Sequence, residues 1–364
     1  MPIRILQVLP KLDIGGVENG TIDTALIIKR NNMIPYVASS GGKKVKELED
    51  NNIQHFQFWL HSKNPIIILF NALVLAIIIY LKNINIVHAN SRAPAWSAWL
   101  ACKLTGAIFI TTFHGFYSGY NNCLKRQYNK VMTWGKKVIT PSLFMKEHLN
   151  KYYGVKSSSI YPIHGGVDIQ KFINVDEKRI NKLKQKYNIT NQFIVSLPGR
   201  LSNWKGQDVF LEAIKTNLIK RSNIKYLIIG NGSDKIKNRL QEIIKKNDLP
   251  VIIDSDCDDI PAMYHLSDII LSASTAEETF GRVAVEGQAS GKIVIATAIG
   301  GSLETVLDNK TGFLIPPNNP EVLANTIIKV IDEKISFKDE AIKNSKNFDL
   351  NVFEKNIIQF YNNL

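Results

Sequence analysis

Short strand-like runs, most of them apolar, recur along this chain, and each interval between them is long enough for about one helix. In the first half they fall at 3–9, 36–38, 53–58, 84–89, 107–112, 137–140 and 159–161. In the second half they fall at 193–197, 226–229, 251–253, 269–272, 292–297 and 313–315. Continuous apolar strands separated by helices belong to parallel sheets covered on both faces, so the pattern predicts an α/β fold with doubly wound sheets. A length of 364 residues and a 45% hydrophobic fraction give room for two such domains. The change of unit is placed near 165–184, giving domains 1–170 and 171–350 and a last helix over 351–364. Two doubly wound sheets in one chain lead to the expectation of a ligand in a cleft between them, at the carboxyl ends of the strands.

The polar clusters sit just after strands. The richest is 276–287, which reads Ala-Glu-Glu-Thr-Phe-Gly-Arg-Val-Ala-Val-Glu-Gly. It follows the strand 269–272 and opens a helix expected over about 281–290. Free N–H groups and the positive end of the helix dipole suit an anion there, and Gly281 lets a phosphate approach the backbone. Glu278 and Glu286 repel phosphate but accept hydrogen bonds from hydroxyls. On these residues alone, a capped helix with a solvated glutamate accounts for the pair as well as a sugar-nucleotide site does. Arg200 and Lys205 flank a turn after the strand 193–197, close enough in sequence for both to reach a pyrophosphate; two ordinary surface cations are the plainer alternative. Gly15-Gly16 makes a tight loop after the first strand, but it lacks the Walker and dinucleotide spacings. His114 ends the strand 107–112, and Arg92 is placed in the same way after 84–89. The acidic run 254–259 precedes a helix starting at Ile260-Pro261, so capping explains it more simply than metal ligation.

Charge is divided unevenly. Residues 1–170 carry 19 Lys+Arg against 8 Asp+Glu, whereas residues 171–364 carry 26 against 24. No carboxylate occurs between Asp50 and Glu147. The first half should therefore meet an anionic surface, either a membrane or a nucleic acid. It has no recognisable recognition helix, zinc module or stacking platform, which argues against nucleic acid. The run 65–81 (PIIILFNALVLAIIIYL) is apolar except for Asn71 and lies at the lower limit of length for a span. A strand follows at once, so a buried or partly membrane-touching helix is expected. Cys102, Cys123 and Cys257 are far apart and follow no metal spacing, which suits a reducing, cytoplasmic compartment. The opening Met-Pro-Ile-Arg-Ile-Leu runs straight into a strand, and no signal peptide is expected.

Taken together, Pro198-Gly199-Arg200-Leu201-Ser202-Asn203-Trp204-Lys205-Gly206, the stretch 278–301, Gly15 to Glu18, 86–96 and 112–115 resemble the family 4 retaining glycosyltransferases. The resemblance covers nearly the whole chain and is nearest to bacterial members that build lipopolysaccharide core or capsule. It implies the GT-B architecture, two Rossmann-like domains facing across a cleft, with the last helix crossing back to the first domain. It implies that Arg200 and Lys205 neutralise the diphosphate of a UDP- or GDP-linked hexose. Glu278 would hold donor-sugar hydroxyls, the backbone of Phe280, Gly281 and Arg282 would meet sugar and phosphate, and Glu286 would bind the ribose. Gly230 and Ile260 would flank the base, Gly15 and Gly16 would lie against the donor phosphates, and His114 near the reaction centre. No metal and no cofactor are implied. The acceptor would be a lipid-linked glycan taken by the basic first domain at the inner face of the membrane. A GT-B enzyme with a soluble acceptor, such as a sugar-phosphate synthase or a phosphorylase, is the competing reading. The chain departs from the family pattern at Ala276, Ser255 and Ala298, positions that bear on the base and the sugar.

Overall fold

The structure is a computed structural model that describes residues 2–13, 15–117, 123–216 and 223–364. Ile14, in the loop of the first glycine pair, lies outside the described residues. The chain divides into two compact units, Met1–Gly166 with Asn351–Leu364, and Val167–Leu350.

The first unit carries seven strands: β1 (Arg4–Val8), β2 (Ile34–Ser39), β3 (Gln54–Gln57), β4 (Ile86–Ala89), β5 (Ile108–Thr112), β6 (Val138–Thr140) and β7 (Ile160–Pro162). Their order is β3-β2-β1-β4-β5-β6-β7, with every pairing parallel. Leu6 at the centre of β1 lies between Tyr36 and Val87. Central strands such as β1 and β4 are buried on both faces, which is why they read as unbroken apolar runs. β3 lies at the sheet edge with its two end residues exposed, so only four residues of the expected 53–58 run pair. The order reverses between β1 and β4. In open α/β sheets the loops at such a reversal diverge and leave a crevice.

The helix Pro65–Leu81 has the bounds the apolar run predicts. The Asn64 side chain accepts from the Ile66 N–H at 2.9 Å and Pro65 takes the first helical position. Asn71, Ala72, Leu75 and Ile79 turn inward, and the Asn71 amide donates to the Trp59 carbonyl at 2.9 Å. The helix is thus buried along one face only. Among the described residues, no helix is long and apolar enough to cross a membrane.

The final helix, Leu350–Asn362, packs onto the first unit. Tyr361 is buried and its hydroxyl meets Nδ1 of His88 at 2.7 Å, while His88 Nε2 meets the Thr112 hydroxyl at 2.6 Å. Burial, and secondarily the neighbouring His114, push the His88 pKa down to about 3, so the ring stays neutral and pairs with one donor and one acceptor. At the outer edge Glu354 accepts from Arg30 Nε at 2.8 Å and from the Asn31 amide at 2.6 Å.

The second unit holds β8 (Phe193–Pro198), β9 (Ile224–Ile229), β10 (Val251–Asp254), β11 (Ile269–Ser272), β12 (Ile293–Thr297) and β13 (Phe313–Ile315). The order is β10-β9-β8-β11-β12-β13, again all parallel. The reversal here falls between β8 and β11, which pair at Val195–Ile269 and Ser196–Ile270. A large apolar core packs on one side of the sheet, with Phe210, Tyr226 and Leu240 buried in it.

Candidate functional site

Because β8 and β11 are neighbours, the loops that leave them meet. The first carries Arg200 and Lys205 into the helix Gln207–Lys215, and the second carries Ser274 to Phe280 into the helix Arg282–Ala289. Lys205 Nζ lies 2.7 Å from Glu278 Oε1, with side-chain exposures of 18% and 10%. The Ser274 hydroxyl donates to the same carboxylate oxygen. The Lys205 ammonium also lies 4.5 Å from the centre of the Trp204 ring, within cation–π range. The backbones are tied as well, since the Thr275 N–H donates to the Trp204 carbonyl at 2.8 Å. Gly206, at φ 82°, packs so tightly on Ala273 that no side chain fits between them. An ammonium carries three N–H donors and Glu278 takes one. The geometry therefore holds a positive charge fixed at a strand switch point with donors to spare. Arg200, five positions earlier in the same turn, is exposed, and its carbonyl accepts from the buried Gln207 amide at 3.1 Å, which closes the turn.

Glu278 is positioned from the other side by the loop after β12. The Gly301 N–H donates to the Glu278 carbonyl at 2.7 Å. Gly300 sits at φ 61°, and a Cβ there would run into the Glu278 backbone. A Cβ on Gly301 would come within 2.6 Å of the Phe280 Cα. This glycine pair closes the 278–301 stretch that carries the family resemblance, which assigns it no role of its own. Two adjacent glycines after a strand were the available signal, but their partner lies more than twenty positions away. Phe280 is nearly buried, with its ring 5.7 Å from that of Phe348.

Gly281, at φ 89°, starts the helix Arg282–Ala289, which has no side-chain cap. Its backbone conformation already favours glycine, whatever approaches it. Glu286 lies one turn further on, where it accepts from Arg282 Nε at 2.8 Å and from the Tyr264 hydroxyl at 2.8 Å. Burial, then the Glu286 charge, push the Tyr264 pKa well up, so the phenol remains a donor. The two glutamates thus have separate partners: Glu278 pairs with Lys205, and Glu286 with Arg282.

Gly230, at the end of β9, packs against the Gly199 carbonyl at φ 141°, leaving no room for a side chain. Ile260 opens the helix Ile260–Leu266 and packs, partly buried, against the core that includes Phe172 and Met263. Ahead of it Asp259 caps that helix through the Ala262 N–H at 3.0 Å and forms a two-pronged pair with Arg179. Asp254 accepts from Lys186 at 2.5 Å and from the Tyr187 hydroxyl at 2.7 Å. Among the described residues, no group of three or more His, Cys, Asp and Glu side chains is arranged to hold a metal ion.

In the first unit, Gly15 is extended and Gly16 opens the helix Gly16–Arg30; a Cβ on Gly16 would meet nothing within 4 Å. His114 Nε2 lies 3.1 Å from Asn90 Oδ1. A chain of bonds assigns its tautomer. The Gln7 amide donates to the Thr21 carbonyl at 2.9 Å, and the Asn90 amide donates to Gln7 Oε1 and to the Thr21 hydroxyl at 3.3 Å each. Asn90 Oδ1 is then the acceptor, so His114 carries its proton on Nε2. Burial pushes the His114 pKa down to about 4, and the ring is neutral near pH 7. Arg92 is committed internally, with Nη1 on Asn129 Oδ1 at 2.8 Å and its guanidinium 4.2 Å from the Tyr117 ring centre. Asn90, Gln7 and Thr21 were not foreseen, because their contribution is to orient another side chain.

Residues 179–348 match the family described as "Glycosyl transferases group 1", and residues 14–171 match "Glycosyltransferase Family 4". A solved glycosyltransferase from Rickettsia africae is 40% identical, with 99% of this chain and 98% of that one aligned at a TM-score of 0.89. The lipopolysaccharide 1,2-N-acetylglucosaminetransferase of Salmonella typhimurium is 33% identical over 209 residues. That match spans only about half the length of either protein, 54% of each. Anabaena HepE, solved in complex with UDP-glucose, shares the fold at a TM-score of 0.87 over the full length of both chains, with 23% identity.

Proposed function

The chain belongs to the family 4 glycosyltransferases of GT-B fold, and from that premise we propose that it moves a hexosyl group from a UDP- or GDP-linked sugar to a lipid-linked glycan of a bacterial surface polysaccharide, with retention at the anomeric carbon. The observation that carries this reading is the Lys205–Glu278 pair at the β8–β11 switch point. When the bond from the anomeric carbon to the diphosphate breaks, negative charge grows on the leaving oxygen. Lys205, Arg200 and the free N–H groups at the start of helix Arg282–Ala289 stabilise that charge. Glu278 places the ammonium and offers its remaining lone pairs to hydroxyls of the donor sugar. Glu286, oriented by Arg282 and Tyr264, takes the ribose, and Gly230 and Ile260 flank the base.

No metal and no cofactor enter this scheme. Retention proceeds on one face of the sugar: the acceptor hydroxyl forms the new bond as the diphosphate departs, and its proton passes to the leaving phosphate oxygen. The first unit takes the acceptor. There neutral His114 presents Nδ1 as an acceptor to a sugar hydroxyl. The excess of 19 basic over 8 acidic side chains in residues 1–170 supports a peripheral position on an anionic, cytoplasm-facing membrane surface.

Donor binding is read by thermal unfolding against a panel of nucleotides and nucleotide sugars. A ligand at a hundred times its Kd stabilises the native state by about 2.7 kcal/mol. For a unit of this size that raises Tm by roughly 5–11 °C. Either UDP or GDP, with one of its sugars, is expected to give such a shift. A flat response across the panel from folded protein would end the donor assignment.

A further inference from the structure

The outward face of helix Pro65–Leu81 has no charged residue and only the Tyr80 hydroxyl to offer water. Ile66, Phe70, Leu73, Ile77, Tyr80 and Leu81 are 50–79% exposed. At 100° per residue they fall in one stripe about 100° wide, opposite the inward Asn71, Leu75 and Ile79. Not one of the 17 residues is charged. A water-facing helix ordinarily carries its polar residues on that side, and exposed apolar patches of this kind mark binding surfaces. The patch does not end with the helix. Trp59, 61% exposed, lies against Phe70 with ring centres 6.3 Å apart. The neighbouring helix Arg92–Thr105, joined through the Ser97 hydroxyl on the Ile68 carbonyl at 3.0 Å, carries a further exposed leucine, Leu104.

Charge identifies the occupant. Lys63 precedes the helix, Lys82 follows it and Lys103 stands on the neighbouring helix. No carboxylate occurs anywhere between Asp50 and Glu147. A second copy related by a twofold axis would set this lysine rim against the same rim, without acids to pair it. An anionic bilayer meets both features at once, with headgroups for the lysines and acyl chains for the stripe. Seventeen residues span about 25 Å, short of a hydrocarbon core of about 30 Å, and the inward face is already packed on the unit's core. The helix therefore has the form of an in-plane element.

We propose that the exposed face of helix Pro65–Leu81 seats in the headgroup–acyl boundary of an anionic bilayer and anchors the first unit hydrophobically. This deepens the reading of a lipid-linked acceptor by assigning the membrane-contacting surface, and it predicts binding that salt alone does not reverse.

The test is flotation of the full chain with phosphatidylcholine vesicles, with and without phosphatidylglycerol. It is run at low salt and at about 0.5 M NaCl, where charges are screened beyond a few ångströms. Wild type is expected to float with anionic vesicles at low salt and to remain largely bound at high salt. Leu73→Glu/Ile77→Glu should lose about tenfold or more in partitioning, most clearly at high salt, with melting temperature and nucleotide response unchanged. Leu73→Ser/Ile77→Ser should fall between and excludes simple charge repulsion as the cause. Complete release of wild type at high salt, or variants that float as well as wild type, overturns the anchor. So does a wild-type dimer that the variants convert to monomer without changing flotation, which would assign the face to a second copy. Absence of flotation under all conditions also overturns it. Label transfer to lipid is scored separately, so a lipid-linked acceptor can stand or fall independently.

Discussion

Lys205→Met is expected to lower sugar transfer about 10²–10³-fold, the usual cost of removing one fixed donor from a developing oxyanion. The same substitution should cost about 3 kcal/mol of stability, because it strands the Glu278 carboxylate at 10% side-chain exposure with Ser274 still attached. Two effects of one substitution are separable by a second. Lys205→Met/Glu278→Gln removes both charges, so the melting temperature should return most of the way towards wild type. Turnover should not recover if Lys205 acts on the leaving group as proposed, because that charge is still gone. Initial rates and melting curves of the wild type, both single variants and the double variant give the full cycle. Recovery of rate together with stability would make the pair a structural bridge with no part in transfer.

Gly301→Ala is expected to be strongly damaging although its backbone needs no glycine. Its backbone conformation tolerates alanine, so the cost is steric: the new methyl would come within 2.6 Å of the Phe280 Cα and 2.6 Å of the Phe280 carbonyl oxygen. Neither is the end of a flexible side chain. The Glu278–Phe280 loop must move, at a cost of about 3 kcal/mol, which lowers Tm by roughly 6–12 °C for a unit of this size. A shift near 1 Å in a positioning loop costs about 100-fold in rate. Gly16→Ala is the control, because a methyl there meets nothing within 4 Å. It should leave stability unchanged, and any loss of rate would then come from the approach of the ligand alone. Near-wild-type melting of Gly301→Ala would show that the loop yields without strain.

The legible parts of the chain were those in which cause and effect are close together in sequence. Asn64-Pro65 starts the apolar helix and Lys82 ends it, so its bounds were readable to the residue. Its burial was not, because seventeen apolar residues look alike until the rest of the unit covers one face and leaves the other. The parallel sheets followed from unbroken runs such as 193–197, whereas 53–58 was read too long because an edge strand pairs on one side only. Lys205 and Glu278 were both singled out, yet for different parts of the donor. That they hold each other at 2.7 Å depends on β8 and β11 being neighbours, and the two residues are 73 positions apart. Separation in sequence likewise hides the contact of Gly300 and Gly301 with the 278–280 backbone, and that of Tyr361 with His88. The His114 tautomer was further still from view, since it rests on the Thr21 carbonyl acting through Gln7 and Asn90.

The most direct measurement is transfer of label from a radiolabelled nucleotide sugar, the one selected by thermal shift, into a bacterial membrane lipid extract in the presence of a chelator. Family 4 transfer through Lys205 predicts label in the organic phase, release of the nucleoside diphosphate in equal amount, and loss of both with Lys205→Met. Label that appears only in water-soluble product would move the acceptor to the soluble class. Nucleoside diphosphate release that is unchanged in Lys205→Met would contradict the account at its centre.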